Sequence, residues 1–157
     1  NNVNVNASKI RNRKTEIFSF FIMKNKQKLR KSVNEIINFT KKNNIKLALS
    51  TSTTINNVEA VFKSLSNQIS KEDFHFIGNR SLVKNEKPNP EIYKLTLEKL
   101  NLEPDNCLAI EDTEESSKSA VSAGIKCIGF PGDYHSDDSF EMCIKKVKIL
   151  DQSLFSL

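Results

Sequence analysis

The sequence predicts an α/β fold of Rossmann-like type, with a parallel sheet covered by helices on both sides. Three observations carry that expectation. Short apolar stretches at residues 45–49, 74–77, 107–110 and 125–130 alternate with segments of helical period. The stretches are largely apolar at consecutive positions, as strands buried on both faces require. The length of 157 residues, with 38% hydrophobic and 27% charged residues and only 4 Gly and 4 Pro, describes one folded domain, not a disordered, collagenous or repeat-built chain.

Residues 9–27 place Ile10, Ile17, Phe18, Phe21 and Ile22 at mixed three- and four-residue spacings among basic residues, an amphipathic helix expected to pack as an accessory element. Ser32-Val33-Asn34-Glu35 has the form of a capping box, opening a helix whose stripe is Val33, Ile36, Ile37 and Phe39 or Thr40. Lys41 and Lys42 close it favourably for the helix dipole. The strand at 45–49 then runs into Ser50-Thr51-Ser52-Thr53-Thr54, and Asn56-Asn57 read as the cap of a helix carrying Val58, Val61, Phe62 and Leu65. A second strand at 74–77 meets Gly78. Asn89 is expected to cap the next helix, with Pro90 at its first position and Ile92, Tyr93, Leu95 and Leu97 along it to about Leu100. The strand at 107–110 ends in Glu111-Asp112, and a helix from Glu114 to Ala123 stops at Gly124, where a left-handed terminus favours glycine. A last strand follows at 125–130.

Charge and composition exclude several classes. The longest apolar run, Phe20 to Met23, falls far short of the roughly 20 residues that span a bilayer, so no membrane partner is expected. Cys107, Cys127 and Cys143 form an odd set without a CxxC pair, which argues against a disulfide framework or structural zinc and for a reducing compartment. The net charge of +5 is split: residues 1–46 hold 12 Lys or Arg against Glu16 and Glu35, whereas residues 47–157 hold 12 against 17 acidic residues. Phe18, Phe20 and Phe21 gather in an apolar patch instead of interleaving with the basic residues, which disfavours nucleic acid and leaves a small anionic ligand.

In an open parallel sheet, ligands bind at the carboxyl ends of the strands. Here one strand ends in five hydroxyl residues and another in two carboxylates, while Lys84 and Lys87 lie in the loop between, beside a proline-locked turn. Hydroxyls and an ammonium suit a phosphate, and a carboxylate beside them calls for a hard cation such as Mg²⁺. Magnesium-dependent phosphoryl chemistry is the expected class.

The series LALSTSTT, EKPNPEIY and CLAIEDTEESSKSAVSAGIKCIGF resembles the second, third and fourth motifs of the haloacid dehalogenase superfamily, from about Leu29 to the end of the chain. Asn12 to Phe18, Leu29-Arg30, STSTTINNVEA and the stretch from Tyr134 to Phe140 are similar to the CbbY-type branch, xylulose-1,5-bisphosphate phosphatases of carbon-fixing organisms. The resemblance implies that Thr51 bonds the transferring phosphoryl group, that Lys87 balances charge there, and that Asp112 ligates Mg²⁺ with Glu111 beside it. It implies further that Thr53 and Thr54 touch the remote part of the substrate, a small phosphorylated sugar. Residues 1–27 would be the C-terminal part of a helical cap, where Arg13 and Lys14 hold a second phosphate, and residues 28–157 the α/β core. The full-length protein is expected to be monomeric, in the cytoplasm or a plastid stroma. Lys87, read as exposed, is expected to matter far more for turnover than for stability.

One departure stands out. The family's first motif, an Asp-x-Asp at the end of the first strand, supplies the nucleophile, and no Asp-x-Asp occurs in this sequence. The expectation is therefore a chain whose nucleophile-bearing first strand lies upstream of Asn1, inactive by itself. Alternatives of the same motif set are a β-phosphoglucomutase-like sugar-phosphate mutase and a catalytically inactive phosphate-binding module.

Overall fold

The computed structural model describes residues 6–25 and 27–156; residues 1–5, expected within the cap, lie outside the described residues. The helices are α1 (Ala7–Lys24), α2 (Val33–Lys42), α3 (Ile55–Ser64), α4 (Glu91–Leu100) and α5 (Glu114–Ser122). The strands are β1 (Ala48–Ser50), β2 (Phe76–Gly78), β3 (Leu108–Glu111), β4 (Lys126–Gly129) and β5 (Lys145–Lys146). Every pairing is parallel: β1 with β2 in one sheet, and β3, β4 and β5 in that order in another.

The consecutive apolar positions do cover two faces. Ala109 of β3 and Cys127 of β4 pack with Ile92, Tyr93 and Leu97 of α4 and Ala120 of α5. Their chain neighbours Leu108, Ile110 and Ile128 pack instead with Ile36 of α2, Phe130, Leu150 and Leu154. Successive side chains thus enter opposite helical layers, as period-two geometry dictates. A third cluster joins Ile37 of α2 to Val58 and Phe62 of α3, with Leu49 and Ile77 packed against it. At the end of β2 the other layer comes close: a Cβ on Gly78 would lie 2.9 Å from Ile92 Cδ1, so the tip of that α4 side chain would have to shift to admit a larger residue.

Helix α4 also bridges the two sheets. Thr96 lies 2.8 Å from Ser50 Oγ at the end of β1, and Tyr93, one turn earlier, donates to Glu111 at the end of β3. Among the described residues β1 and β3 share no ladder, and β1 is half-buried throughout, as are Leu108 and Ile110 of β3. Central strands of a two-sided parallel sheet are normally buried along their length.

Several local expectations are corrected. Ser32 does not cap α2: its backbone is left-handed (φ 71°), and its hydroxyl accepts the Leu150 amide at 2.8 Å instead. The cap of α3 is Thr54, not Asn56 or Asn57, because Thr54 Oγ1 accepts from the Asn57 amide at 3.4 Å. At α4, Asn89 Oδ1 accepts the Glu91 amide at 3.0 Å, as expected of a cap, but the helix itself begins one residue later than expected, with Pro90 preceding it. The first predicted strand is displaced to Ala48–Ser50, β3 includes Glu111, and α1 runs from Ala7 to Lys24. Exposed Lys145-Lys146 form β5 without any apolar signal, held by Ile144 N to Cys127 O and Val147 N to Gly129 O. Gly124 does end the α5 region with φ 85°.

Candidate active site

The hydroxyl tract after β1 is built largely from its own hydrogen bonds. The Thr51 amide continues the ladder to Gly78 O at 3.0 Å, and Thr51 Oγ1 accepts the Thr53 amide at 3.2 Å. An accepting bond leaves the Thr51 O–H as a donor. Thr53 Oγ1 accepts from Asn57 Nδ2 at 2.7 Å, and Asn57 Oδ1 accepts from Ser19 Oγ of α1 at 3.2 Å. Ser50 is turned to Thr96 and Thr54 to the first turn of α3. Thr53 and Thr54, expected at the substrate, thus first shape the loop that presents Thr51.

The turn before α4 is held from within. The Glu91 carboxylate accepts the amides of Lys84 (2.8 Å) and Asn85 (2.9 Å), and buried Ser119 of α5 donates to Asn89 O at 2.7 Å. Glu91 is consequently held below its ordinary pKa, first by the Lys84 and Asn85 amides. This frame carries Lys87 inward, with a side chain only 6% exposed, so the expectation of an exposed lysine is overturned.

Lys87 Nζ donates to Glu111 Oε1 and lies 5.0 Å from the centroid of the Tyr93 ring. Tyr93 O–H donates to the same Glu111 oxygen. Burial, and then the charge of Glu111, push the Tyr93 phenol well above its ordinary pKa, so it stays a donor. Asp112, the next residue along from Glu111, is exposed at the end of the strand, before Thr113 caps α5 by accepting the Ser116 amide at 3.2 Å.

In the sequence Tyr93 stood as one position of an apolar stripe and as the last residue of EKPNPEIY, with no role of its own. A buried tyrosine hydroxyl needs a partner, and that was the available signal. Asn57 and Ser119 carried none. The cysteines are free, and burial, followed by contact with Cys143, pushes the Cys127 thiol up to about 12, which suits a packed core and not a thiolate nucleophile.

Arg13 and Lys14 are not gathered at the strand ends. They line a groove of about 660 Å³ on α1 with Ile10, Ile17, Phe18 and Phe21, and none of Thr51, Lys87, Glu111 or Asp112 lines it. Arg13 pairs with Glu16 at 3.0 Å, both largely exposed. Among the described residues no three His, Cys, Asp or Glu side chains converge as a metal cage. Mg²⁺ takes one or two carboxylates together with waters and phosphate oxygens. Exposed Asp112 can serve so, whereas one oxygen of Glu111 is already engaged.

A family model for haloacid dehalogenase-like hydrolases matches residues 3–130. The chain is 33% identical over 127 residues, 81% of its length and 55% of the relative's, to protein CbbY of Cereibacter sphaeroides. It is 36% identical over 121 residues, 76% of its length and 52% of the relative's, to a phosphorylated carbohydrates phosphatase of Thermotoga maritima. A CbbY mutant from Rhodobacter sphaeroides, solved in complex with xylulose-(1,5)bisphosphate, is similar with a TM-score of 0.86 and 28% identity, over 100% of this chain and 68% of that one. The chain spans about half the length of the curated relatives it matches. With a family model covering most of its residues, the chain belongs to the haloacid dehalogenase-like hydrolases, and among them it is similar to the CbbY proteins.

Proposed function

We propose that this chain forms the core portion of a magnesium-dependent phosphatase acting on a phosphorylated sugar, with xylulose-1,5-bisphosphate as the substrate. The observation that carries the reading is the buried Lys87 ammonium on Glu111 next to exposed Asp112, at the strand ends where an α/β sheet binds its ligand. Thr51 donates its hydroxyl to a phosphoryl oxygen. Lys87, oriented by Glu111, places positive charge where the transferring group is most anionic. Asp112, with Glu111 behind it, holds Mg²⁺, which supplies charge neutralisation at the phosphate when bound.

The nucleophile is the first aspartate of an Asp-x-Asp on a further strand, outside this sequence; it attacks phosphorus to give an aspartyl-phosphate as the P–O bond to the sugar breaks and the second aspartate protonates the leaving sugar oxygen, and water then cleaves the acyl phosphate to release inorganic phosphate. The lack of a shared ladder between β1 and β3 among the described residues supports this. Thr53 and Thr54, and Arg13 and Lys14 on α1, complete the substrate's surroundings. We place the enzyme as a monomer in the cytoplasm or a plastid stroma, in keeping with its three free thiols.

The test is phosphate release from xylulose-1,5-bisphosphate by the chain extended upstream through an Asp-x-Asp strand. Turnover is expected with Mg²⁺ and is abolished by chelation, and Asp112→Asn lowers it by about 10² or more. Full activity of that variant at limiting Mg²⁺ would sink the assignment. Neutralising Arg13 and Lys14 raises KM for the bisphosphate more than for a monophosphate; equal effects return both to the solvated face of α1.

A further inference from the structure

We propose that Tyr93 is a positioning residue for Lys87, acting through Glu111. The inference rests on the reading that Lys87 binds the phosphoryl group, and it gives a role to Tyr93, to which the motif reading assigned none.

Glu111 and Lys87 already balance each other's charge, so the Tyr93 hydroxyl is not needed for neutrality. What it adds is direction. A lysine ammonium is a point charge on a flexible four-carbon stem, and a single carboxylate oxygen leaves it free to swing about that oxygen. Tyr93 O–H donates to the same Oε1 that accepts from Lys87, which limits rotation of the Glu111 carboxylate. The Tyr93 ring, 5.0 Å below Nζ, gives the ammonium an aromatic face and closes a second side. The ring cannot yield, because it is packed among Ile92, Leu97, Ala109 and Cys127. An ammonium held by a carboxylate on one side and a ring on another keeps its remaining N–H directions fixed.

The same arrangement also makes Glu111 an oriented second carboxylate beside Asp112. Removing the hydroxyl alone, by Tyr93→Phe, keeps the ring and its packing. The control is Thr96→Val, which removes another buried hydroxyl of α4 whose bonds run to Ser50 and Ile92 O. Both variants, Lys87→Met and the wild type are compared by thermal melting, by calorimetric titration with inorganic phosphate and Mg²⁺, and by NMR of the Lys87 ε-methylene. Tyr93→Phe is expected to weaken phosphate binding about 5- to 10-fold and to collapse the distinct shifts of the two Lys87 ε-protons into one averaged signal. Thr96→Val is expected to lower the melting temperature while leaving both readouts unchanged.

The proposal is overturned if the Lys87 ε-protons in Tyr93→Phe stay as distinct as in the wild type, or if the loss of affinity tracks melting temperature equally in both variants. A different result sinks the underlying reading instead: phosphate that fails to bind the wild type, or that binds Lys87→Met as tightly. The NMR comparison decides the role of Tyr93 whether or not phosphate binds.

Discussion

Gly129, the last residue of β4, lies against the ring of Phe140: a Cβ on the glycine would come within 2.5 Å of Phe140 Cδ1 and 2.7 Å of Cγ. Phe140 is itself buried and has a positive φ of 53°, unusual for a bulky residue. The contact explains why a strand that ends in glycine can receive the loop that returns toward β5. Gly129→Ala is therefore expected to destabilise the fold by about 1–3 kcal/mol through overpacking, since ring atoms next to the backbone cannot swing aside. Urea unfolding of the variant measures it, and an unchanged midpoint would show that the loop moves freely.

The same loop is pinned from α5. Glu114 Oε1 accepts from Ser139 Oγ at 2.6 Å and from the Phe140 amide at 2.9 Å. These bonds, Ser139 first, hold the Glu114 carboxyl below its ordinary pKa. A lowered folded-state pKa contributes stability above the ordinary carboxylate range, lost as pH falls through the lowered value. Glu114→Gln is expected to melt lower than the wild type at neutral pH, with the difference shrinking on acidification. A gap that stays constant from pH 7 to pH 3 would contradict the linkage.

Lys87 is the residue whose substitution reads most differently once its burial is known. Truncating it leaves Glu111, 10% exposed at its side chain, without its cation. Breaking a buried pair from one side costs about 3–5 kcal/mol, so Lys87→Ala is expected to lose stability as well as phosphate binding. Adding Glu111→Gln removes the orphaned charge while keeping an acceptor for Tyr93, and the double variant is expected to regain most of that stability but none of the binding. Thermal melts that fail to recover in the double variant would rule out the ion pair as the cause.

Thr54 has a structural duty that can be weighed directly. As the cap of α3 it satisfies the Asn57 amide, and Thr54→Ala is expected to cost about 1 kcal/mol of stability. Thr54→Ser, which keeps the hydroxyl, is expected to melt close to the wild type. If serine and alanine prove equally destabilising, the methyl group and not the cap is what α3 requires.

The residue pattern alone determined the two-sided parallel sheet, because alternating faces are a property of the strand itself: Ala109 and Ile110, or Cys127 and Ile128, are neighbours in the chain and must face opposite layers. It determined the glycine terminus after α5, which depends on one residue's backbone freedom, and the order in which Thr51, Lys87 and Asp112 follow successive elements. The tertiary structure decided everything that depends on a distant partner. Ser32 had the local form of a helix cap, yet its hydroxyl accepts an amide 118 residues away. Lys87 had the local form of a solvated charge, yet the turn held by Glu91 and Ser119 carries it inward to Glu111. Tyr93 looked like one more apolar position, and only the meeting of α4 with β3 gave its hydroxyl a carboxylate. A polar side chain's role is set by whichever partner desolvation brings to it, and a sequence window holds only its nearest candidates.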